Sequence, residues 1–145
     1  MRNTSSQRRV RRSRGSSVVE TALCGLIFFC MLLGAFDFGQ FLFIHQALVV
    51  RARTAARWGA INDPTNSTGI TNMVLYNKSS RPDDASAYFN LSSSNVIVSN
   101  ADSGTNDHRL NVQISGYTYK MFSPYIAGSY TGPLILVSVP LGPYN

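Results

Sequence analysis

From Val18 to Phe36 the chain is apolar apart from Glu20 and Thr21, and that run constrains everything else in it. About 20 such residues in a helix suffice to cross a bilayer. The apolar character resumes after Asp37 as FGQFLFIHQALVV, and RARTAARWGA carries it to about Ala60, with no proline before Pro64. This pattern predicts one continuous helix of about 40 residues, about 60 Å long at 1.5 Å per residue. Its first half would lie in lipid and its second half would emerge. Asp37 interrupts the run, and an acid in mid-membrane costs about 2.5–3.5 kcal/mol on insertion scales. Residue 37 lies about 20 residues beyond the start of the span, which favours the outer interface over a buried intramembrane acid.

The net charge of +6 is informative only once located. Arg2, Arg8, Arg9, Arg11, Arg12 and Arg14 all precede Gly15, and the remaining seven basic residues balance seven acids. A basic tail beside an apolar helix points to an anionic membrane surface and away from nucleic acid, whose basic patch belongs on a folded domain. Six arginines before the span against three after it orient the N-terminus to the cytoplasm. An ordinary secretory signal fits poorly, because the apolar core is too long and no A-x-A site follows it. Cys24 and Cys30, six apart on the helix, are separated by about 9 Å of rise and cannot pair within one chain.

After Ala60 the composition turns to Asn, Ser, Thr, Asp and Gly. GITNMVLYN follows helical spacing, with Ser67 or Thr68 as a possible cap. NVIVS (95–99) reads as a strand. RLNVQISGYTY (109–119) alternates as a half-buried strand, and PLILVSVP (133–140) reads as a third, buried on both faces over its first half. KMFSPYIAGSYTG between the last two holds turn residues and three aromatics. The fold class is therefore α+β: a long N-terminal transmembrane helix, then a small domain with a short helix and an antiparallel sheet of three to four strands. A segment of about 85 residues is marginal for a core of its own, so docking on the emerging helix is expected. Arg53 and Arg57 are four apart on one face, and Ala52, Ala55, Ala56 and Ala60 offer a smooth surface for the sheet.

Catalysis finds little support. His45 and His108 lack zinc-type spacing, and no cysteine lies beyond residue 30. Asp83, Asp84, Asp102 and Asp107 sit in Ser/Asn-rich loops, without EF-hand spacing, and read as solvated carboxylates. No nucleophile elbow, P-loop or dinucleotide fingerprint occurs. The N-x-S/T triplets at Asn66, Asn77 and Asn90 mark only exposed segments. No metal or cofactor is expected, and no enzymatic activity.

RGSSVVETA (14–22) sets a carboxylate, Glu20, at the mouth of the span. An acid near a helix N-terminus gains about 0.3–1 kcal/mol from the macrodipole. A cut after Gly15 would do more. It would place the α-amino group of Ser16 one helical turn from Glu20, so the pair could neutralise inside lipid, and it would remove six arginines.

The stretch resembles the class III signal of type IV pilins and pseudopilins: a basic leader, a glycine, a cut, a glutamate five residues into the mature chain, then an apolar helix. GAFDFGQFLFIHQALVVRARTAARWGA, ITNMVLYN and RLNVQISGYTY sharpen the resemblance to the TadE-like pseudopilins of the tight-adherence (Flp) pilus. The resemblance implies processing between Gly15 and Ser16 by a prepilin peptidase. It also implies a recognition or assembly role for Glu20, and partnership with other pilins or pseudopilins and the assembly platform in the bacterial inner membrane. Two departures stand out: Thr21 where an aromatic usually follows the glutamate, and Asn77 where a glycine is common, a position where asparagine tolerates left-handed backbone. The expected organisation is a basic leader (1–15), a long helix (16–60, spanning about 18–36) and a periplasmic α+β domain (61–145). The alternative is an uncleaved, membrane-anchored binding or sensing domain with a pocket lined by Tyr117, Tyr119, Phe122, Tyr125 and Tyr130.

Overall fold

A computed structural model describes residues 13–105, 107–122 and 128–142. Helix α1 runs Ser13–Asn62, 50 residues without a break, about 75 Å at 1.5 Å per residue. It ends where Asp63–Pro64 forbids continuation. There the Asp63 carboxylate accepts from the Thr65 hydroxyl at 2.6 Å and the Thr65 N–H at 2.8 Å. These bonds hold the Asp63 carboxyl below its usual range, the hydroxyl contributing most.

Helix α2 (Ser67–Tyr76) follows at once. Its cap is Asn66, whose side chain accepts from the Gly69 N–H at 2.8 Å, and not Ser67 or Thr68 as the sequence suggested. All three residues can cap. The tight Asp63–Thr65 turn decides among them by delivering Asn66 to the first position of the helix. At the other end Asn77 takes the left-handed conformation (φ 57°) and its N–H closes on the Met73 carbonyl, as expected for asparagine in a glycine position. Short 3-10 turns at Tyr88–Asn90 and Ser93–Asn95 lead into the sheet.

The main sheet is antiparallel with order β1-β2-β5, from β1 (Val96–Ala101), β2 (Arg109–Ile114) and β5 (Ile135–Pro140). Val98, Val112 and Val137 stand opposite one another in register. The same inner face carries Leu110, Ile114 and Ile135, and it packs with Leu48, Ala52, Ala55 and Ala56 of α1 and with Ile70, Val74 and Leu75 of α2 in one core. The alanine surface of α1 is used as expected: Ala52, Ala55 and Ala56 are fully buried. Without those residues the segment beyond Ala60 would lack one wall of its core.

Two strand expectations are corrected. Residues 109–119 are not one strand, because Gly116 takes φ +68° and turns the chain out of the sheet. The chain then forms β3 (Thr118–Lys120), which pairs with β4 (Ser129–Thr131) in a separate two-stranded ribbon. The turn-rich stretch 120–132 thus contributes a strand. Nor is β5 buried on both faces: Leu136 is 60% exposed, because only the inner face of β5 packs against α1.

Candidate functional site

The Gly15–Ser16 bond lies inside α1, which begins three residues earlier than the expected helix start would put it. Residues 15–20 are exposed, and a side chain at Gly15 would meet nothing within 4 Å. Thr21 turns its hydroxyl back to the Ser17 carbonyl at 2.9 Å, a local bond that leaves the outer surface of the helix smooth. Glu20 lies in the second turn from Ser13, and no acid occupies the first. The dipole effect fades within the first turn, so Glu20 gains little from it in this helix. Among the described residues no side chain bonds to it.

Along the span no side chain is buried, and the first buried residue described in α1 is Asp37, 4% exposed. Its Oδ1 accepts the Phe122 N–H at 2.7 Å, a contact across 85 residues of sequence. Asp37 therefore has a protein partner that no local pattern could reveal. Above Asp37 the domain clasps one side of α1 through Ile44, Leu48 and Ala52. Phe36, Phe43 and Val50, seven residues apart, are each more than half exposed, although Phe122 meets Phe36 and Phe89 meets Phe43 edge-on. Seven-residue spacing keeps them on one stripe of the helix. Arg51 flanks that stripe, its guanidinium 3.6 Å from the centre of the Tyr88 ring.

The feature that carries a relationship to known proteins is thus a single apolar helix, bare through its span and half-clasped above it. Residues 15–57 match the family model described as TadE-like protein. The match begins at Gly15 and ends at Arg57, so it falls wholly on α1. No curated protein and no solved structure matches the chain.

The matched segment lies in a helix long and apolar enough to cross a membrane once. The domain it supports uses its aromatics for packing. Tyr117 is buried, with its hydroxyl 2.8 Å from His45 Nδ1. Tyr119 lies against Phe41 (ring centroids 4.9 Å) and stacks on Tyr130, while Phe122 meets Phe36 edge-on at 5.7 Å. Tyr125 lies outside the described residues. The four described aromatics are therefore strung along the helix and do not converge on a pocket. An open groove of about 410 Å³ lies between His45, Val49 and Arg53 of α1 and residues 134–138. Asp83, Asp84, Asp102 and Asp107 are exposed as expected, and Asp107 pairs with Arg109 at 2.7 Å. Among the described residues no three His, Cys, Asp or Glu side chains gather as metal ligands.

Burial raises the Tyr117 phenol above its ordinary value of 10.0, and Tyr119 adds to the shift. The neutral form is therefore favoured in the folded state. The stability from this group is full below pH 10 and is lost as pH rises through the folded-state value. Urea unfolding in micelles, followed by Trp58 emission, should show a loss above pH 10 that is smaller in Tyr117→Phe. That variant should also be weaker at neutral pH by about 0.5–1.5 kcal/mol for the lost His45 bond.

Proposed function

We propose that this chain is a minor pseudopilin-like structural component of a tight-adherence (Flp) pilus or secretion system. In this reading a prepilin peptidase cleaves it between Gly15 and Ser16. It sits in the bacterial inner membrane with its N-terminus cytoplasmic and its α+β domain periplasmic, and it acts in pilus assembly with other pilins or pseudopilins and the assembly platform. The observation that carries the reading is the family match on Gly15–Arg57, a helix that leaves its apolar span and the emergent Phe43 and Val50 largely exposed.

The physical logic follows from Glu20. While the leader is attached, six arginines hold the N-terminal end at the cytoplasmic face, and Glu20 lies too deep in α1 for the dipole to help it. Cleavage makes Glu20 the fifth residue of the helix and sets a new α-amino group about one turn away. The charge pair can then neutralise in an apolar setting, where an unpaired carboxylate would be costly. The exposed Phe43 and Val50, seven residues apart on one stripe, offer a neighbouring helix a seam above the membrane. No catalytic or cofactor chemistry is needed for this role.

Mass spectrometry of the membrane-fraction protein, from cells with and without the peptidase, tests the processing step. The expected mature chain begins at Ser16, and an intact Met1–Gly15 segment with the peptidase present would refute it. In the same cells Glu20→Ala should still be cleaved but should lower piliation; normal piliation would return Glu20 to a purely local role.

A further inference from the structure

We propose that Phe122, backed by Phe36 and flanked by Lys120, is a second membrane contact, seated in the phospholipid headgroup layer at the C-terminal end of the span. The inference rests on α1 being a membrane span. Residues 18–36 then cover about 28 Å, close to the roughly 30 Å of bilayer hydrocarbon. Phe36 is the last residue of that span and Asp37 is the first residue covered by protein.

From Tyr117 onward the chain descends along α1 toward this boundary. Tyr117 bonds to His45, Tyr119 packs on Phe41, and Phe122 reaches Asp37 and Phe36. Each step moves about one helical turn, and the whole descent covers about 13 Å of axis. At its foot the Phe122 backbone is fastened to the buried Asp37 carboxylate, while its ring is 70% exposed. A fastened, exposed phenylalanine beside the end of a lipid-facing helix continues the apolar surface of the span sideways. The adjoining tyrosines Tyr119 and Tyr130 and the exposed Lys120 match the residue types enriched where membrane proteins meet headgroups. A water-soluble partner could not reach the ring without also displacing lipid from Phe36, so lipid is the occupant that fits.

The test places single tryptophans in the full chain reconstituted in phosphatidylcholine–phosphatidylglycerol vesicles. Wild type reports from Trp58, its one native tryptophan, about 33 Å further up the helix than Phe36. Leu26→Trp and Phe122→Trp are made in a Trp58→Phe background. Lipids brominated near the glycerol should quench Phe122→Trp more than lipids brominated deep in the chain. Leu26→Trp should show the reverse order, and Trp58 should lose no intensity to either. Reading Phe122→Trp as a difference against the Trp58-containing parent gives the same contrast without the background substitution. No lipid quenching at position 122 with normal quenching at position 26 overturns this proposal and leaves the span standing. No quenching at position 26 overturns the span itself. Emission at 122 that depends on protein-to-lipid ratio without lipid quenching identifies a second copy as the occupant and overturns the lipid assignment.

Discussion

Leu48→Ala is expected to destabilise the folded domain by about 2–5 kcal/mol, a large share of the 5–15 kcal/mol typical of a small protein. Leu48 is fully buried in the one core that joins α1, α2 and the sheet. The cavity left by its isobutyl group has little freedom to close. One wall is a continuous 50-residue helix, and on the sheet side stands the central strand β2, held on both edges. Urea unfolding in detergent micelles, followed by Trp58 emission, should show the loss as a lower midpoint. Leu32→Ala is the control, since Leu32 lies in the exposed part of the span and should leave that midpoint unchanged. A Leu48→Ala midpoint equal to wild type would mean that helix and sheet unfold independently.

The second large effect is expected at Gly132. Its N–H donates to the Tyr117 carbonyl at 2.8 Å, and a methyl group at its Cα would overlap the Tyr117 ring. The ring cannot swing away cheaply, because it is buried and its hydroxyl is held at His45. Overpacking of this kind costs about 1–3 kcal/mol, and losing the ring from its site would add to it. Gly132→Ala should therefore lower the midpoint, and it should loosen the β3–β4 ribbon first. Amide exchange of Thr118–Lys120 and Ser129–Thr131 is the readout. Protection unchanged in that ribbon would show that the ring accommodates the methyl group in place. Gly34→Ala makes a useful contrast, since its Cβ would meet nothing within 4 Å.

Much of this architecture was legible in residue pattern because it rests on local causes. The long helix follows from an apolar, proline-free stretch that stops at Pro64. The left-handed close of α2 follows from the tolerance of Asn77, β2 from its alternation, and β1 and β5 from their β-branched, apolar runs. What stayed hidden depends on contacts between distant residues or on choices among equivalent ones. Asn66, Ser67 and Thr68 are all good caps, and the preceding turn selects the first. A glycine inside an alternating stretch can be passed over or can end a strand, and at Gly116 the backbone does the latter. Leu134 and Leu136 read as doubly buried because an apolar run does not say whether a second layer covers the outer face of its sheet. The candidate site divides in the same way. Gly15, Ser16 and Glu20 stand out by position and charge, and the fold leaves them exposed at the start of α1. The partner of Asp37 comes from 85 residues away and carries no local mark.

The unbroken course of α1 has a geometric consequence. Each helical residue advances the azimuth by about 100°, so the side chains that face lipid and those that hold the domain share one angular register. One residue inserted between Phe36 and Asp37 would raise the domain by only about 1.5 Å, yet it would swing the domain about 100° around the axis. Seven inserted residues would lift it by about 10 Å and return it to within about 20° of its original heading. The molecule therefore has a compass bearing as well as a height above the bilayer, and the bearing is the more sensitive to change.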